Sequence, residues 1–169
     1  MRRLVFALLF VPLALTACDS KPARDGTVRR LGQPDYIRSP ANDPEMDKAI
    51  QTAHESVNTF ITALRTPNAR RTSFSVKKPF NDGENVEHIW LSDASFDGTK
   101  FHGVVDNEPV DVKNVKFGET VDVAKGEISD WFYVENGKLI GGYTLRVLYA
   151  RMPAAEKREF QSHLPFKME

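Results

Sequence analysis

Between Asp43 and Leu64 the apolar residues Met46, Ala49, Ile50, Ala53, Val57, Phe60, Ile61 and Leu64 recur every three or four positions. That spacing places them on one stripe of an amphipathic α-helix, so this face needs a partner to pack against. Asp43 is placed to cap the free amides of the first turn, Pro44 suits the first helical position, and Glu45 lies near the positive end of the helix dipole. Pro67 stops the helix near Arg65, because the residue before a proline is pushed out of helical geometry. His54 borders the stripe and reads as a boundary residue rather than a ligand.

Beyond Arg71 the period changes to two, with turn dipeptides between the runs. Asp82-Gly83 separates Phe74-Ser75-Val76-Lys77 from Glu87-His88-Ile89-Trp90-Leu91. A tight turn flanked by Asn81 and Glu84 sets Val76 opposite Ile89, Phe74 opposite Leu91 and Lys78 beside Glu87, with Trp90 on the other face. A second turn at Asp97-Gly98 sets Leu91 opposite Val104 and Asp93 opposite His102, which completes a three-stranded meander. A third, Asn136-Gly137, pairs Val134 with Leu139, Tyr133 with Ile140, Phe132 with Gly141 and Trp131 with Gly142, so large rings lie over residues without side chains. That last strand is expected to run on through Thr144. After a turn at Asp106-Asn107-Glu108-Pro109, Val110, Val112, Val115, Val121 and Val123 supply short strand-like pieces, and Pro153 opens a final helix through Leu164. The expected class is α+β: an N-terminal amphipathic helix packed on a strongly bent antiparallel sheet or small open barrel, with a short C-terminal helix.

The first 43 residues lack this periodicity. Arg2 and Arg3 precede an apolar run from Leu4 to Ala17, too short for a membrane span of about 20 residues but of the form of a secretory signal. The run ends Leu15-Thr16-Ala17-Cys18, which resembles the bacterial lipobox, whose cysteine is acylated and becomes the first residue of the mature chain. Asp19 resembles the sorting residue that retains lipoproteins at the inner membrane. The expected organisation is a lipoprotein signal peptide over 1–17, the lipidated (palmitate-bearing) Cys18 with a flexible tether over 18–43, and one α+β domain over 44–169. The expected location is the cell envelope, lipid-anchored at the inner membrane and facing the periplasm. Several acyl chains together hold firmly where one alone binds only marginally.

The stretches Glu87-His88-Ile89-Trp90, Phe101-His102-Gly103-Val104-Val105-Asp106-Asn107-Glu108-Pro109, Phe117-Gly118-Glu119-Thr120-Val121, Ile128-Ser129-Asp130-Trp131 and Gly141-Gly142-Tyr143-Thr144 occur in that order. Together they resemble the YegJ-like bacterial domain of unknown function, family number 2314, over roughly residues 50 to 160. The resemblance implies an α+β domain in small secreted or lipid-anchored proteins and implies no activity.

Charge and composition narrow the function further. The 23 basic and 23 acidic residues give a formal net charge of zero, which offers no field for nucleic acid. The single cysteine excludes an internal disulfide and a paired-thiolate metal site, and the four histidines, at positions 54, 88, 102 and 163, have no metal-ligand spacing. No catalytic set, metal or cofactor is assigned. Two groups of candidates remain. Trp90 and Trp131 with Glu108 and Asp130 are candidate binding residues, rings to stack on a ligand and carboxylates to hold its polar edge; core packing for Trp131 and backbone capping for Asp130 are the structural alternative. Asp93 with His102 is the candidate acid/base pair. The expected function is a lipid-anchored, periplasm-facing, non-catalytic interaction module whose sheet face or edge meets an envelope protein or cell-wall material. The alternatives are an envelope hydrolase using Glu108 and Asp130 as paired carboxylates, or an inhibitor or immunity protein against an envelope-directed toxin.

Overall fold

The computed structural model describes residues 43–168 and, upstream of them, two short paired strands. Those strands, β1 (Thr27–Val28) and β2 (Tyr36–Ile37), pair antiparallel with Thr27 opposite Ile37, within the unit spanning residues 1–38. Both strands lie within the segment expected to be a flexible tether. The expected signal segment, Cys18 and Asp19 lie outside the described residues.

In the unit spanning residues 39–169, the amphipathic stripe forms helix α1 (Pro44–Arg65) with the expected bounds. Asp43 accepts from the amides of Glu45 and Met46, both at 3.2 Å, which stabilises a helix start by about 1 kcal/mol. Ala53, Val57 and Phe60 are buried along the stripe.

Six strands follow: β3 (Arg71–Asn81), β4 (Val86–Phe96), β5 (Lys100–Val105), β6 (Thr120–Ala124), β7 (Asp130–Glu135) and β8 (Lys138–Gly141). They form one antiparallel sheet in the order β6-β5-β4-β3-β7-β8. The sheet is open, with β6 and β8 at its edges, and does not close into a barrel. Helices α2 (Tyr143–Arg151) and α3 (Ala154–His163) end the fold.

Alternation along the strands produces two unlike faces. The inner face carries Val76, Ile89, Leu91, Phe101, Val105 and Trp131 against α1, with the Phe60 ring 5.3 Å from that of Trp131 and 5.8 Å from that of Phe101. Among the described residues the outer face is covered over β7 and β8, where Phe132, Val134 and Leu139 meet Tyr149, Phe160, Phe166 and Met168 from α2, α3 and the C-terminal segment. That segment also seals the β8 edge, since the Leu139 amide donates to the Lys167 carbonyl at 3.1 Å.

Several expectations change. The β3–β4 connection is longer than a two-residue turn, so Val76 lies opposite Leu91, Lys78 opposite Ile89 and Phe80 opposite Glu87, a displacement of two residues. Because side chains alternate with period two, such a slip keeps every residue on its expected face. Asp82 is the cause: its carboxylate accepts from the amides of Glu84 and Asn85, which stabilises the wider loop. Between β4 and β5 the register shifts from Ser92 opposite Val104 to Ser95 opposite His102, with Asp93 at φ +51° inside the bulge. Val110, Val112 and Val115 lie in an irregular segment rather than strands, whereas Val121 and Val123 belong to β6. The β7–β8 hairpin has the expected register through Phe132 opposite Gly141. A Cβ on Gly141 would lie 2.6 Å from the Trp131 ring, so glycine is required where the ring crosses the strand. The strand expected to continue through Thr144 ends there, and α2 begins.

Candidate functional site

Lys77, on β3, lies opposite Trp90 of β4 and opposite Asp130 of β7, so the three side chains share the outer face. They stand where the C-terminal layer ends and the part of the face left open by the described residues begins. The Trp90 ring meets Phe132 edge-on at 4.9 Å, and Phe132 in turn packs on Phe166 at 5.8 Å, which continues the apolar layer up to the Lys77 side chain.

Asp130 is completely buried. Its Oδ1 accepts from the amides of Trp131 (2.8 Å) and Tyr143 (3.1 Å), and its Oδ2 accepts from the amide (2.8 Å) and hydroxyl (2.6 Å) of Thr144. Three of these donors belong to the first turn of α2, whose own N-cap, Gly142, has no side chain to offer. A carboxylate thirteen residues back in the chain therefore caps the helix. Burial pushes the Asp130 carboxyl above the usual range, against the opposing pull of the Thr144 hydrogen bond and the Lys77 charge.

Lys77 reaches Asp130 only indirectly. Its ammonium donates to the Thr144 hydroxyl at 3.4 Å and lies 5.3 Å from the centre of the Trp90 ring, with no carboxylate at ion-pair distance among the described residues. Desolvation lowers its proton affinity below the ordinary lysine value, and the Asp130 charge opposes this. His88, two residues before Trp90, has Nδ1 2.8 Å from the Ser129 hydroxyl. Desolvation and the neighbouring Lys77 charge hold His88 down to about 4, so its imidazole is neutral near pH 7.

The sequence-derived candidates are thus separated. Trp90 is half-buried at this site and Asp130 lies beneath it, while Trp131 is in the inner core, donating its indole N–H to the Ala53 carbonyl at 2.9 Å. Glu108 is on the exposed segment after β5, whereas Asp130 is buried with its oxygens turned to Trp131 and the start of α2, so Glu108 is not among the groups around the Asp130 carboxyl. Asp93 and His102 are not brought together either: the bulge carries Asp93 out of register, and His102 lies between Asp122 (Nδ1 to Oδ1, 2.6 Å) and Asp97 (Nε2 to Oδ2, 3.0 Å).

Lys77, His88, Ser129 and Thr144 escaped the sequence reading. A lysine inside an alternating strand, on the face of a tryptophan, was the available signal, but the assumed register set Lys77 opposite His88 and left Trp90 elsewhere. Glu87 was missed as well. It is 1% exposed and accepts from the amides of Val110, Asp111 and Val112, so it fixes the segment after Pro109 to the sheet. His54 contacts the Ile128 carbonyl at the helix boundary.

Two cavities lie elsewhere. One of about 600 Å³ is lined by Gly137, Tyr149, Leu164 and Phe166, and one of about 370 Å³ by Asn58, Thr62, Arg71 and Tyr133. Among the described residues no group of three or more histidine, cysteine, aspartate or glutamate side chains is arranged to hold a metal ion, and no helix is long and apolar enough to cross a membrane.

Comparison with known proteins agrees with this geometry in extent. The family model DUF2314, described as an uncharacterized protein conserved in bacteria, matches residues 43–168, which is the described α+β unit. The uncharacterized protein YegJ of Escherichia coli is 35% identical over 119 residues, covering 70% of this chain and 76% of that protein. A putative ankyrin repeat protein of Neisseria meningitidis serogroup B is 43% identical over 88 residues, 50% of this chain but 35% of that longer protein. No solved structure matches.

Proposed function

The chain belongs to the bacterial DUF2314 family, and from that premise we propose that it is a lipid-anchored, periplasm-facing, non-catalytic binding module. Its binding surface is the uncovered part of the outer sheet face around Trp90. The observation that carries this reading is the edge of the outer layer formed by the described residues: α2, α3 and the C-terminal segment stop at Phe132, and beyond them Trp90 stands half-buried beside Lys77 and His88. An aromatic ring with a cation beside it, flat on a rigid sheet, is the composition of an interface centre. The Neisseria relative supports modular use, since the shared region is about a third of a longer chain named for ankyrin repeats. The Leu15-Thr16-Ala17-Cys18 signal supplies the anchor and Asp19 the inner-membrane sorting.

A hydrolase with Glu108 and Asp130 as acid and base draws no support from this geometry, because the Asp130 carboxyl is enclosed and its acceptor sites are filled by backbone and Thr144. Inhibition of an envelope-directed toxin is one use to which the same surface lends itself, with the toxin as partner.

Two measurements test the reading. Mass spectrometry of the protein from its native cells is expected to show acylated Cys18 as the first residue; an unmodified thiol or a retained leader removes the anchor. A photocrosslinking residue at position 88 is expected to yield a defined adduct in intact cells that Trp90→Ala abolishes, while the same probe at Gln51, on the exposed side of α1, yields none. Equal labelling at both positions defeats the proposed surface.

A further inference from the structure

We infer that Lys77 and Trp90 form a receptor for a C-terminal carboxylate of a partner polypeptide, with the apolar side chain of that terminal residue lying on Trp90. The inference deepens the binding surface proposed above and rests on it.

An ammonium has three N–H donors. That of Lys77 uses one, at 3.4 Å, on a hydroxyl whose own proton is already committed to Asp130 at 2.6 Å. The remaining donors have no acceptor among the described residues, and the lysine is half-buried. Asp130 does not accept from those donors, because its oxygens are turned to the start of α2 and to Trp131. An anion arriving from the open side would therefore meet a cation without a direct counter-ion, in surroundings where a charge-assisted hydrogen bond is stronger than in water.

Neutral His88 adds a second polar edge. With Nδ1 engaged by Ser129, its other ring nitrogen remains to meet a ligand, and the neutral ring adds no competing charge.

The aromatic side of the site selects among carboxylates. The ammonium is 5.3 Å from the Trp90 centroid, and Phe132 extends that apolar surface toward the C-terminal layer. A chain terminus carries a carboxylate and a side chain on the same carbon, so one residue can reach both. An internal aspartate or glutamate instead brings its polar backbone over the rings.

The test uses the full chain and three small probes: N-acetyl-leucine, its amide, and N-acetyl-aspartate α-amide, followed through the Trp90 indole N–H resonance. N-acetyl-leucine is expected to bind saturably with a dissociation constant of about millimolar order, and at least tenfold more tightly than either other probe. Its binding should weaken as pH rises through the lowered titration of Lys77, with Asp130 from β7 and His88 from β4 as the titratable neighbours. In Lys77→Met the preference for acid over amide should vanish. Acid and amide binding alike, or no saturable shift with any probe, overturns the receptor. Preference for the aspartate probe overturns the choice of a chain terminus. Should Lys77→Met fail to fold, the acid and amide comparison on the unaltered chain still decides. A crosslinked partner at position 88 with no acid preference leaves the surface standing and removes only the carboxylate receptor.

Discussion

At the junction of β3 and β7, Lys77 and Asp130 lie under Trp90 and the start of α2. On β5 and β6, three and four strands from β7, His102 is held between Asp97 and Asp122, and Lys100 pairs with Asp122, all in contact with water. Both groups join cations to carboxylates on the same face of the same sheet, yet their proton affinities move in opposite directions. Around the buried Asp130 desolvation dominates: the half-buried lysine is lowered, the aspartate raised, and the exposed His88 held down to about 4. In the open group hydrogen bonding dominates, so His102 and Lys100 are raised, Asp122 is lowered and Asp97 is held at about 2. Cover, rather than residue type, decides whether such a cluster resists its charges or welcomes them.

The largest expected effect comes from removing the enclosed carboxylate. Asp130→Ala leaves two buried α2 amides and the Thr144 hydroxyl without their acceptor and Lys77 without its nearest negative charge, so urea unfolding should show a loss of about 3 to 5 kcal/mol. Lys77→Met in the same background should recover part of that loss, and simple additivity of the two substitutions would show that the groups are not coupled.

A smaller effect separates the clusters by pH. The folded state holds His88 below its unfolded value of 6.5, so this contribution to stability is full above about pH 6.5 and is lost as pH falls toward about 4. Asp130, raised on folding, acts in the opposite sense, its contribution being lost as pH rises through its elevated value. The difference between the native profile and that of His88→Gln isolates the histidine, and superimposable profiles would exclude its neutral state as a factor.

The smallest effect belongs to the open cluster. His102 is raised on folding, so its contribution is full below about pH 6.5 and disappears as pH rises through the folded value. Because these groups face water, His102→Gln should alter stability measurably only on the acid side of that range and only at low ionic strength. An effect that persists in 1 M salt would place the cluster with the enclosed one.

The amino-acid sequence by itself determined the elements whose signals are local. Asp43-Pro44 and Pro67 bound α1, Asn136-Gly137 sets the β7–β8 register, and Pro153 opens α3, because each acts through backbone angles or hydrogen bonds within a few residues. Alternation also assigned Trp90 and Ile89 to opposite faces, and that assignment survived a two-residue error in pairing. Tertiary structure alone decided the rest. Tyr143-Thr144 reads as strand, yet α2 begins there, because the cap that satisfies its first amides is Asp130. Asp93 and His102 are separated by a bulge that no dipeptide announces. The Lys77, Trp90 and Asp130 site required the partner strands on both sides of β3 to be in register, and its titration required the depth of burial, a property of the packed layers that local spacing does not encode.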